Sequence, residues 1–401
     1  MTADIATPQD AAPTLTDRPL RIRSVTAEGT LTLIGAAAGA LALDWVLYER
    51  VLPFTGALGF WVCWYLLFLA FYASIASMQW NRLAVRDKVV RVALSTGGLL
   101  ATAIVIDQVG YTLVHGYTAV RHLSFFTQTM LDAGPLSPID QGGIAHALIG
   151  TLEQLALSTA MSVPLGIAAA VYLAEVGGRA ARPVRTLVDA MTSLPDVIAG
   201  LFILAFVVLT VGLPKCGFAA SLALAVTMLP IVTRASETVL RIVPGTLREA
   251  SYALGGSQWR TVLMVVLPTA RSGLATAVVL AMARGIGETA PVLLVAGFAR
   301  NMNANPFANW QTSLPLYIYY YIQSPENNDH VRAFGGGFAL IALVLILFTI
   351  ARRLGGGAPG ELTRRQRRRI ARQTAAQQRA ARNSGALPRM YPGAAEEGTG
   401  A

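Results

Sequence analysis

Apolar residues run through this chain in long, nearly charge-free blocks separated by short polar segments, too long for strands and too evenly apolar for surface helices. A hydrocarbon core of about 30 Å needs about 20 helical residues, so apolar windows of about 19 residues mark bilayer-spanning helices. The chain holds about eight such blocks, at 29–47, 55–77, 92–113, 143–176, 187–212, 218–232, 272–297 and 334–351. The fourth and fifth are long enough to tilt, break or run past the bilayer as amphipathic helix, and the sixth is short unless it extends past Arg234. This pattern predicts an all-α integral membrane protein.

Composition agrees. Of 401 residues, 54% are hydrophobic and 13% charged, where a soluble domain carries about 25% charged. Lys and Arg number 32 against 22 Asp and Glu, a net charge of +10. Most of that excess lies in one place, because residues 351–401 carry 11 arginines and 3 glutamates. Cys63 and Cys216 fall in separate apolar blocks, too few for a disulfide framework or a zinc site, and read as packing residues. Residues 1–28 are polar and lack the basic start and short apolar core of a signal peptide.

Basic residues in short loops resist translocation. Placing the N-terminus inside puts 26 of the 32 basic residues on the cytoplasmic side. An even number of spans with both termini cytoplasmic follows from that asymmetry. The tail run Arg364-Arg-Gln-Arg-Arg-Arg369 then faces anionic lipid, which attracts each nearby arginine by about 1 kcal/mol, and needs no nucleic-acid partner.

The most informative loop is 243–268. Thr246 and Glu249 have capping-box spacing and predict a helix start there, and Leu247, Ala250, Ser251 and Leu254 recur on one face of it. Gly255-Gly256 supplies a left-handed stop; Ser257 caps a second helix, which Pro268 ends or kinks. Two short helices joined by glycines form either a knuckle for a partner's groove or an interfacial elbow.

The run Glu249-Ala-Ser-x-x-x-Gly255-x9-Val265-x-Leu267-Pro268 resembles the EAA loop of ABC-importer permeases, with Ser251 and Val265 as mild departures. That resemblance implies an ATPase-coupling role for Thr246, Glu249, Ala250, Gly255, Leu267 and Pro268. Further segments resemble the PstA-type permeases of bacterial phosphate importers: Gly142 to Thr151, Pro164 to Glu175, Leu194 to Phe202, Pro230 to Arg234, and Ala283-Arg-Gly-Ile-Gly-Glu-Thr-Ala-Pro-Val-Leu-Leu294. The family implies a type I permease core of about six helices over 92–353, with an extra transmembrane hairpin at 29–91 and the Arg-rich tail at 354–401 as additions. It also implies a second PstC-like permease subunit, a PstB-like ATPase dimer using ATP with Mg, a PstS-like extracytoplasmic phosphate-binding protein and the bacterial cytoplasmic (inner) membrane.

Independently, Arg284 and Glu288 sit four apart within the seventh block, where an unpaired charge costs several kcal/mol. Either they meet an oxyanion in a translocation path, or they lock helix to helix as an ion pair. Arg234 and Glu237, at i and i+3, line the exit or anchor the sixth helix at the headgroups. Asp196, after Pro195, marks a break or a start in the fifth block and is a further path candidate. His146 and Glu153 are polar bundle contacts or path residues.

Absences narrow the function. The only lysines, Lys88 and Lys215, follow Asp87 and Pro214, so the chain has no Walker A site and any ATPase is another polypeptide. The four histidines are scattered, and no catalytic or metal motif is present. The leading expectation is a phosphate-importer permease; the alternatives are an importer for another oxyanion such as sulfate or molybdate, a self-sufficient transporter or channel, and an enzyme acting on phosphorylated lipid.

Overall fold

Every apolar block folds as helix, because backbone N–H and C=O groups in hydrocarbon must pair within their own segment. The computed structural model describes residues 27–51 and 56–355, and among these no strand occurs. The tail run 364–369 and the start of the N-terminal segment lie outside the described residues. Among the described residues seven helices are long and apolar enough to cross a membrane, or up to eight if one bent pair counts as a span. The chain divides into two compact units, 1–108 and 109–401.

The first unit holds α1 (Ala27–Val46), continued by a π-turn at Leu47–Val51, α2 (Ala57–Gln79) and the first part of α3 (Arg82–Val120). Ala36 and Ala40 are fully buried where α1 meets Phe68 and Tyr72 of α2, small residues admitting large ones. The Trp64 indole donates to the Ala37 carbonyl at 3.2 Å. Asp44 is also fully buried, with the Cys63 thiol of α2 beside its carboxylate.

The second unit continues from α3 through α4 (Ser124–Thr127) and α5 (Ala145–Val171), the latter extended by a π-turn at Tyr172–Val176. Then come α6 (Ala181–Ser193), α7 (Asp196–Ile203) with a π-turn at Leu204–Thr210, and α8 (Gly217–Ile242). The loop after α8 supplies α9 (Gly245–Ala253) and α10 (Gln258–Thr261), which passes through a π-turn at Val262–Val266 into α11 (Leu267–Gly285). Short α12 (Ala290–Val295) and α13 (Leu314–Ile322) precede the long α14 (Asn327–Gly355).

Helix α8 is the axis of this unit. Its Ala219, Ala220, Ala223, Met228 and Val232 are buried against α5, α7 and α12. Glycines set the closeness of the neighbours: a Cβ on Gly200 of α7 would stand 2.7 Å from the Pro291 Cα of α12. Backbone cannot yield there as a side-chain tip would. Gly200→Val is expected to force α7 from α12 and cost about 1–3 kcal/mol, read as a lower unfolding temperature of the detergent-solubilised protein.

The fifth block breaks, as its length allowed: Pro195 has no N–H to continue α6 and holds Leu194 extended (φ −72°, ψ 130°), so α6 and α7 meet at 104°, as a broken span or a re-entrant loop. The sixth block extends past Arg234, for α8 runs on to Ile242 with Pro230 and Arg234 inside it. Two expectations need correction. The seventh block begins at Gln258 and ends at Gly285, with α12 following after a break. Pro268 neither ends nor divides that helix, because the π-turn just before it absorbs the lost hydrogen bond.

Candidate functional site

Two groups of polar residues stand out in the second unit, one in the α8–α10 loop and one where α6, α7 and α11 converge. The loop is built as a rigid bracket. Arg248 of α9 grips Glu175, at the end of the α5 extension, with two hydrogen bonds of 2.6 and 3.1 Å. The same guanidinium donates to the Leu240 and Val243 carbonyls at 3.0 and 2.7 Å, satisfying the C-terminus of α8. Glu175 is only 6% exposed at its side chain. The hydrogen bond to Glu175 raises the Arg248 pKa above its usual value, so the guanidinium stays charged.

Gln258 of α10 donates to the Glu175 carbonyl at 2.6 Å, and the Ser251 and Thr261 hydroxyls meet at 2.8 Å. The loop therefore moves with α5 and α8. Sequence reasoning passed over Arg248 and gave Glu175 no role, because the two stand 73 positions apart.

The expected capping box is absent: α9 starts at Gly245 after Pro244, and no side chain caps it. Pro244 presets the entry conformation instead, and its carbonyl accepts from the Leu247 N–H at 3.2 Å. Ser257 does cap α10, accepting from the Arg260 N–H at 3.4 Å. Gly255 takes φ +82°, the left-handed stop its position demanded. No residue of α9 is buried, and Thr246, Leu247, Glu249, Ala250 and Leu254 are exposed, Leu254 at 90%. Leu267 is half-buried against the core beneath the loop, and Pro268 is exposed.

In the second group, Arg284 ends α11 and Asp196 begins α7, and they pair at 2.5 Å. Glu288 lies 3.5 Å from the same guanidinium, but beyond the helix end, so the two do not share one face of a continuous span as expected. Gly285, Gly287 and Pro291 explain the break, since neither glycine favours continuation and proline restarts the helix at α12. Arg284 remains 51% exposed at its side chain, more than a sequestered lock between helices requires. It opens onto a cleft of about 210 Å³ lined also by Met191, Thr192, Asp196, Thr227 and Pro230.

Further along the same face of α8, at i+7 from Thr227, Arg234 pairs with Asp189 and reaches Glu237 at 3.2 Å. Glu237 is nearly buried and also receives Arg185 at 2.9 Å and Arg241 at 2.8 Å. Arg234 thus belongs to a network tying α6 to α8, a turn beyond the cleft holding Arg284 and Asp196. His146 is buried beside Tyr317, and Glu153 accepts from Gln311 at 2.5 Å; both join α5 to the segments around α13. Among the described residues no group of His, Cys, Asp or Glu has the arrangement to hold a metal ion.

Residues 162–356 match the family of binding-protein-dependent transport system inner membrane components. The chain is 40% identical over 233 residues to phosphate transport system permease protein PstA 1 of Mycobacterium tuberculosis (strain CDC 1551 / Oshkosh), covering 58% of this chain and 76% of that one. The corresponding figures for PstA of Mycobacterium leprae are 38% over 264 residues, 66% and 86%. For PstA of Haemophilus influenzae they are 36% over 251 residues, 61% and 84%. Among solved structures, a bacterial ABC transporter importing the acidic polysaccharide alginate aligns with TM-score 0.45 and 15% identity over 69% of this chain and 98% of its own. An inward-facing MetNI methionine ABC transporter aligns with TM-score 0.42 and 23% identity over 53% and 93%.

Proposed function

The chain belongs to the PstA-type family of phosphate transport permeases, and from that premise we infer that it is the membrane-spanning permease subunit of an ATP-driven importer of inorganic phosphate. The observation that carries this reading is identity of 36–40% over 76–86% of the relatives' own length. An importer for sulfate or molybdate has no comparable support. The protein is a multi-pass membrane protein, and ATP hydrolysis belongs to a separate polypeptide.

In our reading, 92–353 is the permease domain, 29–91 an added hairpin and 354–401 a lipid-facing tail, with both termini cytoplasmic because that side then carries 26 of 32 basic residues. The exposed helix α9, with Leu247, Ala250 and Leu254 along one face and Glu249 to its side, docks in a groove of a PstB-like ATPase dimer that binds ATP with Mg. Closure of that dimer on ATP shifts the helix bundle between outward- and inward-open populations. Phosphate crosses between this subunit and a PstC-like partner after delivery by a PstS-like binding protein. The half-exposed Arg284 offsets its charge, Asp196 and Glu288 hold that guanidinium in place, and Arg234 marks the exit.

The test is radiolabelled phosphate uptake in cells lacking this chain. The intact protein is expected to restore uptake. Restoration of sulfate or molybdate uptake instead would move the assignment to that anion. Leu254→Asp puts a charge at the C-terminal edge of the exposed apolar face; it is expected to reduce ATPase co-purification by about tenfold at normal membrane abundance. Undiminished co-purification would remove α9 as the docking helix.

A further inference from the structure

A cavity of about 730 Å³ in the second unit lies away from both groups described above. Its wall combines Lys215, in the turn before α8, with the loop between α12 and α13, including Arg300, Asn301, Asn309 and Trp310. Because α8 runs from this turn to the coupling loop, the cavity lies at the end of the bundle opposite α9. No acidic residue lines it, and neither Lys215 nor Arg300 has an ion-pair partner among the described residues.

The wall is rigid. Asn303 donates to the Ala308, Asn309 and Trp310 carbonyls at 2.8, 3.3 and 3.1 Å. Thr312 closes the base of the loop, donating to the Ala299 carbonyl at 2.7 Å and accepting from its N–H at 2.8 Å. The turn bearing Lys215 is fastened to the same loop through Cys216 N–H to Val295 O at 3.1 Å and Phe218 N–H to Pro306 O at 2.6 Å. Two cations are therefore held toward one space with amide side chains and no counter-charge, the setting that draws an anion.

Helix α12 alone separates this wall from the Glu288 turn and Arg284. It has six residues, a rise of about 9 Å at 1.5 Å each. We propose that the cavity is a receiving site for a phosphate-class oxyanion, which Lys215 and Arg300 hold one short helix ahead of Arg284. The step deepens the phosphate-permease reading and rests on it. The space is several times larger than a bare oxyanion, so the ion enters hydrated and sheds water only further in. Arg332 takes no part: it is fully buried, pairs with Asp329 and donates to loop carbonyls.

The chain's having only two lysines gives a direct test. In the assembled importer, acylation of Lys215 by an amine-reactive reagent is followed by mass spectrometry with Lys88 as internal reference. Inorganic phosphate is expected to slow Lys215 acylation and leave Lys88 unchanged, while chloride at equal ionic strength does neither. Lys215→Gln with Arg300→Gln is expected to lower initial phosphate uptake at low salt by about tenfold, with ATPase co-purification retained. Equal acylation in phosphate and chloride would overturn the proposal, as would undiminished uptake in the double variant. So would weakened docking of the external binding protein without phosphate protection, which would give the cavity to a protein surface. Failure of the underlying reading is separately visible, because the unsubstituted complex would then take up no phosphate.

Discussion

Arg248→Ala is expected to lower phosphate uptake by about a hundredfold while the protein still reaches the membrane. The substitution leaves the Glu175 carboxylate, 6% exposed, without either guanidinium hydrogen bond, and it frees the Leu240 and Val243 carbonyls at the end of α8. Breaking a buried pair by removing one partner costs about 3–5 kcal/mol, more than the pair contributes when intact, because the remaining charge stays desolvated. That logic orders the variants. Glu175→Gln keeps a side-chain acceptor and is expected to be milder; Arg248→Ala combined with Glu175→Gln is expected to recover part of the loss, since no buried charge is then stranded. The measurement is phosphate transported per ATP hydrolysed in proteoliposomes holding the complete importer. A ratio equal to the unsubstituted complex in Arg248→Ala would show that the clamp does not carry the loop's movement into α5 and α8.

The second large effect concerns the cleft. Arg284→Gln removes the cation and leaves Asp196 and Glu288 facing any anion that enters. A hydrogen bond to a charged group is worth about 1.5–3 kcal/mol, so uptake is expected to fall by about ten- to a hundredfold at unchanged abundance. Asp196→Asn acts differently, because it frees Arg284 from its 2.5 Å partner and leaves the positive charge in the cleft; uptake is expected to persist. A lock between helices predicts the reverse pattern, with both variants losing abundance alike. Initial uptake rates set against immunoblotted membrane abundance separate the two.

Sequence alone determined the membrane class, the position of most spans and the helix–glycine–helix form of the loop at 243–268. These are properties of contiguous residues: about 20 apolar positions must fill the bilayer, and the Glu249 to Pro268 motif carries its glycines and prolines at fixed offsets. Gly255 and Ser257 did what their backbone chemistry required.

Where local rules competed, tertiary structure decided. The capping box at Thr246 and Glu249 gave way to a helix start set by Pro244, and the block across 187–212 bends by 104° at Pro195, which fixes φ and withholds a donor. Only the fold paired residues distant in sequence. Arg248 meets Glu175, Arg284 meets Asp196 across 88 positions, and Glu237 gathers Arg185, Arg234 and Arg241. A buried charge must find its partner in space, and helix periodicity reaches only one turn along the chain. The sequence thus paired Arg284 with Glu288 and left Asp196 apart, and the fold brought Asp196 of α7 to the same guanidinium.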